Sequence, residues 1–414
     1  MTDPTSAAAG RRASFGFIFA LALMNSVSFG IMIPILPNLI RELAGGDTAA
    51  ASEWNVVFAT SWGVMQFFCG PLLGMFSDRF GRRPVLLLSL LGLGVDFLFM
   101  AFAPTLWWLL LGRLLNGATA ASFSTANAYL ADVTPPDQRA KVFGWMGSAF
   151  SFGFIIGPTI GGLLGEHDLR TPFLAAAALT FANFLYGLFV LPESLPPERR
   201  AKVYDWKRAN PVGALQLLRS RLGLLPLATV GFLFQFGHIV LPTIFVLYTT
   251  HRYGWTPGVL GLTFLLTGVL GVLVQMFLVG PTVARIGERR TLLLGLAAGA
   301  AAFIWYGWAS IGWVYLLGAP VFALTGFIMP GLQGLMTRKV EPWEQGQLQG
   351  ANQSLTGIAA MAGPSVFGLI FAWSLRHGHP PGLAIYVAGG LFALAFALAF
   401  AAARHPAPAA AAAE

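Results

Sequence analysis

Three side chains able to hold or move a proton lie inside long apolar runs: Asp96, Arg113 and His238. A charge at hydrocarbon depth is costly and must face a partner or an aqueous cavity, so an ionisable residue there is a functional candidate by default. Asp96 is the carboxylate placed well inside an apolar run, and a change in its surroundings would load or unload a proton. Arg113 is a permanent cation whose expected role is to bias a nearby acid or to hold backbone carbonyls. His238, three residues after Gln235, belongs to the residue type that titrates near neutrality. Its bland reading is a hydrogen-bonded core histidine.

A second group of charges interrupts two apolar runs, in the stretch Gly74 to Arg83 with Asp78, Arg79, Gly81, Arg82 and Arg83. Lipid cannot hold such a cluster, so it is expected to form a tight aqueous loop between two spanning helices, with Asp78 just beyond the first helix. There its carboxylate can accept hydrogen bonds from a neighbouring helix's free N–H groups or from the adjacent arginines, acting as a clamp. Further on, Gly144, Gly153, Gly157, Pro158, Gly161 and Gly162 form a glycine stripe at a spacing of about four, which lets a partner helix approach closely, while Pro158 permits a bend.

The elements that position these groups follow from composition and period. Of 414 residues, 56% are hydrophobic and 10% charged, against about 25% charged in a soluble domain, and mean hydropathy is +0.69. Apolar runs of about 20 residues define a helical, not a barrel, membrane protein. Spanning helices are expected near 14–40, 53–75, 85–103, 106–130, 142–165, 172–191, 223–248, 258–281, 291–309, 313–337, 347–373 and 383–403. The first is longer than the 7–15 residues of a signal h-region.

The charge cluster recurs in weaker form 206 positions on. Gly74, Arg79, Gly81 and Arg83 match Gly280, Arg285, Gly287 and Arg289, and the same offset carries Pro136, Gly144, Gly157 and Pro158 to Pro342, Gly350, Gly363 and Pro364. Asp78 becomes Ala284, so the clamp is one-sided. The fold expected is all-α, twelve transmembrane helices in two six-helix pseudo-symmetric bundles: residues 1–191, a cytoplasmic linker 192–222 with an interfacial helix near 211–220, and residues 223–414.

Twenty of the 25 lysines and arginines fall on one side of this topology. Only Arg41, Arg170, Arg252 and Arg376 fall on the other, and Arg113 lies within a span. The bias puts both termini in the cytoplasm. It also explains the net charge of +8 without nucleic acid. A lone cysteine, Cys69, excludes a disulfide framework, and no HExxH, His/Asp metal cluster or GxxxxGK[ST] loop points to an enzyme or to ATP-driven transport.

These motifs resemble the major facilitator superfamily, in particular its tetracycline-resistance branch of drug/proton antiporters. Gly74-x3-Asp78-Arg79-x-Gly81-Arg82-Arg83 is similar to that family's loop signature, Arg113 with Asn116-Gly117 to its fourth-helix signature, and the Gly144 to Gly162 stripe to its antiporter signature. The likeness covers nearly the whole chain. It implies a secondary transporter of the bacterial inner membrane, multi-pass and monomeric, surrounded by lipid and driven by the proton gradient rather than by any cofactor. It also implies a central cavity onto which Asn25, Gln66, Asn116, Gln235, His238, Gln275, Gln333 and Asn352 face as substrate-binding groups. Where tetracycline exporters carry an aspartate, a histidine and an aspartate, this chain aligns Asn25, Gly271 and Gly299.

A cavity of amides and aromatic rings suits a lipophilic or weakly polar small molecule, with proton-coupled efflux as the leading expectation. Transport of a neutral metabolite such as a sugar, and lipid translocation, stay open as alternatives.

Overall fold

The computed structural model describes residues 4–120, 122–135, 139–200, 223–341 and 344–402. Most of the expected linker, with its interfacial helix at 211–220, lies outside these residues, as do Pro136 and Pro342. The helices are α1 (Pro4–Met32), α2 (Leu36–Leu43), α3 (Thr48–Phe80), α4 (Arg82–Phe102), α5 (Leu106–Thr119), α6 (Ser122–Val133), α7 (Arg139–Leu164) and α8 (Thr171–Val190). They continue as α9 (Leu224–His238), α10 (Val240–Tyr253), α11 (Pro257–Leu273), α12 (Val279–Trp308), α13 (Gly312–Leu317), α14 (Ala319–Ala323), α15 (Ile328–Thr337), α16 (Gln345–Arg376) and α17 (Leu383–Ala402).

Among the described residues, nine stretches are long and apolar enough to cross a membrane, and the bent α3 adds a tenth. One of the nine, Pro257–Trp308, runs for 52 residues and turns at Gly287 (φ 77°, ψ 164°), so it holds two spans. The α5–α6 pair, interrupted at Ala120, supplies the last of twelve. Large apolar side chains face outward along these helices, including Phe102 at 70% and Phe189 at 79% exposure, far more than water tolerates on a soluble monomer. The solvent of those faces is lipid.

Several boundaries differ from the sequence expectation. Asp78 and Arg79 do not stand in a loop beyond the second span but in the last turn of α3, and the chain breaks at Gly81 alone (φ 110°, ψ 162°) before α4 resumes at Arg82. A glycine in the positive-φ region makes the whole turn, so the flanking charges need not leave the helices. The second span begins earlier than expected, at Thr48, because Asp47 caps it: its carboxylate accepts from the N–H groups of Ala49 at 2.8 Å and Ala50 at 3.2 Å.

Cα proximity groups the chain into two compact units, residues 1–208 with 255–265, and residues 209–254 with 266–414. In the first, the glycine stripe of α7 lies on the backbone of α1. A Cβ at Gly157 would stand 2.7 Å from Gly30 Cα and from Val27 O, and one at Gly153 would overlap Ser26. The core beside this crossing is formed by Ile18, Leu21, Leu86, Leu90, Tyr129 and Leu130, all nearly inaccessible. Asn183 of α8 is tied in by its Nδ2, which donates to Leu21 O at 2.9 Å.

The second unit repeats the device with different filling. Gly363, at the offset of 206 from Gly157, packs α16 against Ile239 at the α9–α10 junction. An aromatic cluster stabilises the opposite end, with Tyr306 and Tyr315 stacked at 4.1 Å between centroids and Tyr248 Oη donating to Tyr306 O at 2.9 Å.

Candidate functional site

Polar groups gather at three places. At membrane depth in the first unit, Arg113 of α5 meets Asp96 of α4. The guanidinium pairs with Oδ2 of the carboxylate and its Nε donates to Oδ1 at 3.3 Å. Both side chains are buried, Asp96 completely. Gly112 makes room for this: a Cβ there would sit 2.6 Å from Asp96 Oδ1 and 2.9 Å from Phe99 Cβ. The embedded acid is therefore not alone, and the arrangement is a desolvated ion pair. Removing one partner of such a pair leaves a charge uncompensated and costs about 3–5 kcal/mol.

In the second unit a cavity of about 400 Å³ is lined by Phe234, His238, Gln275, Thr325, Gly326, Met329, Pro330 and Gln333. Two irregular backbone segments shape it: a π-helical turn, Val274–Leu278, which carries Gln275, and a 3-10 turn, Leu324–Phe327, which carries Thr325 and Gly326. A π-turn inside an α-helix re-aims side chains and is often found at functional sites. The His238 ring is held by stacking, 5.7 Å from Phe322 at 21° and 5.7 Å from Phe234. Among the described residues no group hydrogen-bonds to either of its ring nitrogens or to the Gln275 carboxamide. The ring contacts of His238 among the described residues are aromatic.

The remaining expected substrate-binding residues divide. Gln333 lines the cavity and accepts from Gln349 Nε2 at 3.1 Å. Gln235 is turned to Thr356, donating from Nε2 at 3.3 Å, and half-buried Asn352 lies one turn before Thr356, whose hydroxyl donates to its carbonyl at 3.0 Å. Asn116 is buried and accepts from Trp62 Nε1 at 2.7 Å, a link between α3 and α5. Asn25 and Gln66 are half-buried on α1 and α3. Within the second unit, the expected residues brought to one cavity are His238, Gln275 and Gln333.

The third place is the turn at Gly81. Arg82 bridges two carboxylates, Asp78 at 2.5 Å and Asp132 of α6 at 3.1 Å, so the clamp partner of Asp78 is an adjacent arginine. Arg79 lies over the Phe80 ring. Glu193, which the sequence pattern did not single out, covers the start of α4: Oε1 accepts from Arg82 N at 2.8 Å and from the Ser194 and Leu195 amides at 3.0 Å, and Oε2 from Arg83 N at 3.2 Å. A carboxylate at a helix N-terminus answers both the free N–H groups and the dipole. It also makes Gly81 doubly necessary, since a Cβ there would overlap Glu193. Around Gly74, by contrast, no atom of the described residues lies within 4 Å of where a Cβ would stand, and the same holds for Gly144. Packing does not explain either glycine.

At the offset of 206, Arg82 and Asp132 become Glu288 and Arg338, and these two also pair. The ion pair is kept in both halves with its charges exchanged. Testing complementary charges at a fixed offset would have found it, and Asp132 with it. Glu193 has no such signal, because its equivalent is Ala399.

Two sets of transmembrane helices joined by matching turns, with a buried ion pair and an amide-lined cavity, fit a membrane transporter. The chain matches the Major Facilitator Superfamily over residues 18–277 and 227–414, and it belongs to that family. Its curated relatives include the class C tetracycline resistance protein of Escherichia coli, 38% identical over 91% of this chain and 93% of the relative. The class B protein of the same organism is 35% identical over 86% and 88%. Among solved structures, a human organic anion transporter, MFSD10, aligns with a TM-score of 0.65 at 24% identity, covering 94% of this chain and 99% of the other. The nucleoside transporter NupG aligns at 0.74 and 14%, covering 95% and 99%.

Proposed function

We propose that this multi-pass transporter exports a lipophilic, weakly polar compound in exchange for protons, by alternating access across a bacterial inner membrane with both termini in the cytoplasm. The observation that carries the reading is the cavity of the second unit. Its polar groups are two neutral amides, one hydroxyl and one imidazole, its walls are Phe234, Met329 and Pro330, and its lining holds no lysine or arginine for a phosphate ester or polyanion. Similarity to tetracycline resistance proteins supports the efflux class. Asp96 and Arg113 supply a pair whose separation and protonation would couple the cycle to the gradient. No cofactor is required, and the working form is a monomer embedded in lipid, with no nucleic-acid partner.

Efflux into proteoliposomes under an imposed pH gradient tests this. Lipophilic drugs are expected to move with the gradient. Gly326→Val is expected to weaken their apparent affinity without unfolding the protein, because a Cβ there would meet Val274 Cγ1 at 3.5 Å and Gln275 Oε1 at 3.8 Å, ordinary contacts, and larger groups project into the cavity. Gradient-independent counterflow of a sugar, untouched by Gly326→Val, would overturn the reading.

A further inference from the structure

The segment Trp255–Leu265 follows the first six spans by a long stretch of sequence, yet it groups with residues 1–208. Three features of α7 and the turn after it hold it there. Gly162 abuts Gly261: a Cβ on Gly162 would lie 2.9 Å from Gly261 Cα and would overlap Pro257 O. Thr159 Oγ1 reaches Gly261 O at 3.3 Å. Beyond the end of α7, Glu166 Oε2 accepts from the Gly258 N–H at 2.6 Å, at the first turn of α11.

The glycine contacts are apolar, backbone to backbone, and insensitive to pH. Glu166 is different. Its side chain is exposed in the turn whose one basic residue, Arg170, belongs to the sparsely charged side that the basic-residue bias places outside the cell. A carboxylate there is in contact with outer water and with a helix N-terminus at the same time. Ionised, it is favoured by the free N–H groups and the positive end of the dipole; protonated, it keeps a weak acceptor and loses the charge.

We propose that Glu166 is an outer latch: its ionised carboxylate fastens the start of α11 to the end of α7, and a proton arriving from the outer water unfastens it. In an exchanger that takes protons from outside, such a latch would open the outer face when protons are available. That physiological sense rests on the exchange reading given above. The titratable groups nearby leave Glu166 as the responsive one. Pro257–Leu265 carries none. On its own turn, Asp168 is committed to the Arg170 and Thr171 amides and the Thr171 hydroxyl, and Arg170 donates to Ala101 O and Ala103 O at 2.9 and 3.0 Å. His167 is exposed and is the neighbour to control for.

The test uses the full chain in proteoliposomes with Cys69→Ser and a reporter, Leu260→Cys, at a position that is fully buried. Labelling from the outer face by a membrane-impermeant maleimide, divided at each pH by the labelling of an exposed His167→Cys control, reads release of the segment. The parent is expected to label slowly near neutrality and about tenfold faster as the outer medium is acidified. Glu166→Gln is expected to label fast at every pH. Gly258→Ala, whose methyl would take the seat of the carboxylate, 2.6 Å from Oε2, is expected to do the same with Glu166 intact. A parent rate that ignores pH, or a Glu166→Gln rate as slow and as pH-sensitive as the parent's, would overturn the proposal. The assay needs neither substrate nor gradient, so absent drug/proton exchange with intact pH-dependent labelling would sink the exchange reading alone.

Discussion

Separating Asp96 from Arg113 is the perturbation with the largest expected consequence. The pair is buried, doubly contacted, and seated against Gly112 and Phe99. Asp96→Ala leaves a guanidinium uncompensated, and Arg113→Met leaves a carboxylate so, each at a cost of about 3–5 kcal/mol. In the double variant neither charge remains, so its loss should fall short of the sum of the singles by about 2–3 kcal/mol, the coupling energy expected of residues in direct contact. Denaturant titration of the purified protein in detergent gives the three numbers. Additive losses would show that the pair is not an energetic unit, and the reasoning from it to coupling would fail. Transport supplies the second arm. Asp96→Asn keeps the shape of the side chain but cannot take up a proton, so efflux should drop to its level without a pH gradient while counterflow of the same compound persists. A gradient response equal to that of the parent would refute the assignment.

Further predictions concern the frame. Gly157→Ala should destabilise by about 1–3 kcal/mol through overpacking against Gly30 and Val27, whereas Gly144→Ala, with open space at its Cβ among the described residues, should stabilise by up to about 1 kcal/mol in the same denaturant titration. Arg82→Glu places an acid beside Asp78 and Asp132, and adding Asp132→Arg, which copies the charge order of Glu288 and Arg338, should recover about 1 kcal/mol of what the single loses. Asp168 is held below the usual carboxylate range, first by the Arg170 amide and then by the Thr171 hydroxyl. Its contribution to stability is therefore complete above the unfolded carboxylate pKa and disappears as pH falls through the lower folded value. Asp168→Asn should flatten that acid limb of thermal stability and leave its neutral plateau lowered.

How much of this the sequence disclosed depended on whether the physics left a period or only a contact. The glycine stripe on α7 was legible because close backbone approach demands small residues at every fourth position, and Gly153 and Gly157 do lie on α1. The turn at Gly81 and its partner at Gly287 were legible because a positive φ between two helices selects glycine in both copies. The helical continuity on either side was not, since charges within one turn of a helix end are accommodated there as readily as in a loop.

The cavity was only partly legible. Gln275 and His238 were visible as polar interruptions, but the π-turn over Val274–Leu278 that carries Gln275 has no compositional mark. A π-turn also shifts every later side chain on the helix by about one residue's rotation, so a helical wheel drawn through it misassigns the faces. Contacts made once are quieter still. Glu193 on the start of α4 and Glu166 on the start of α11 are both carboxylates near span ends, a position that carries no mark of its own in the sequence. What distinguishes them is a glycine in the capped turn with no space for a side chain, Gly81 in one case and Gly258 in the other. Two acids are thereby fixed at helix N-termini, one at the Gly81 turn and one after α7. If protons act on this transporter beyond its buried pair, ionised caps held against space-limited glycines are where its helix ends would respond.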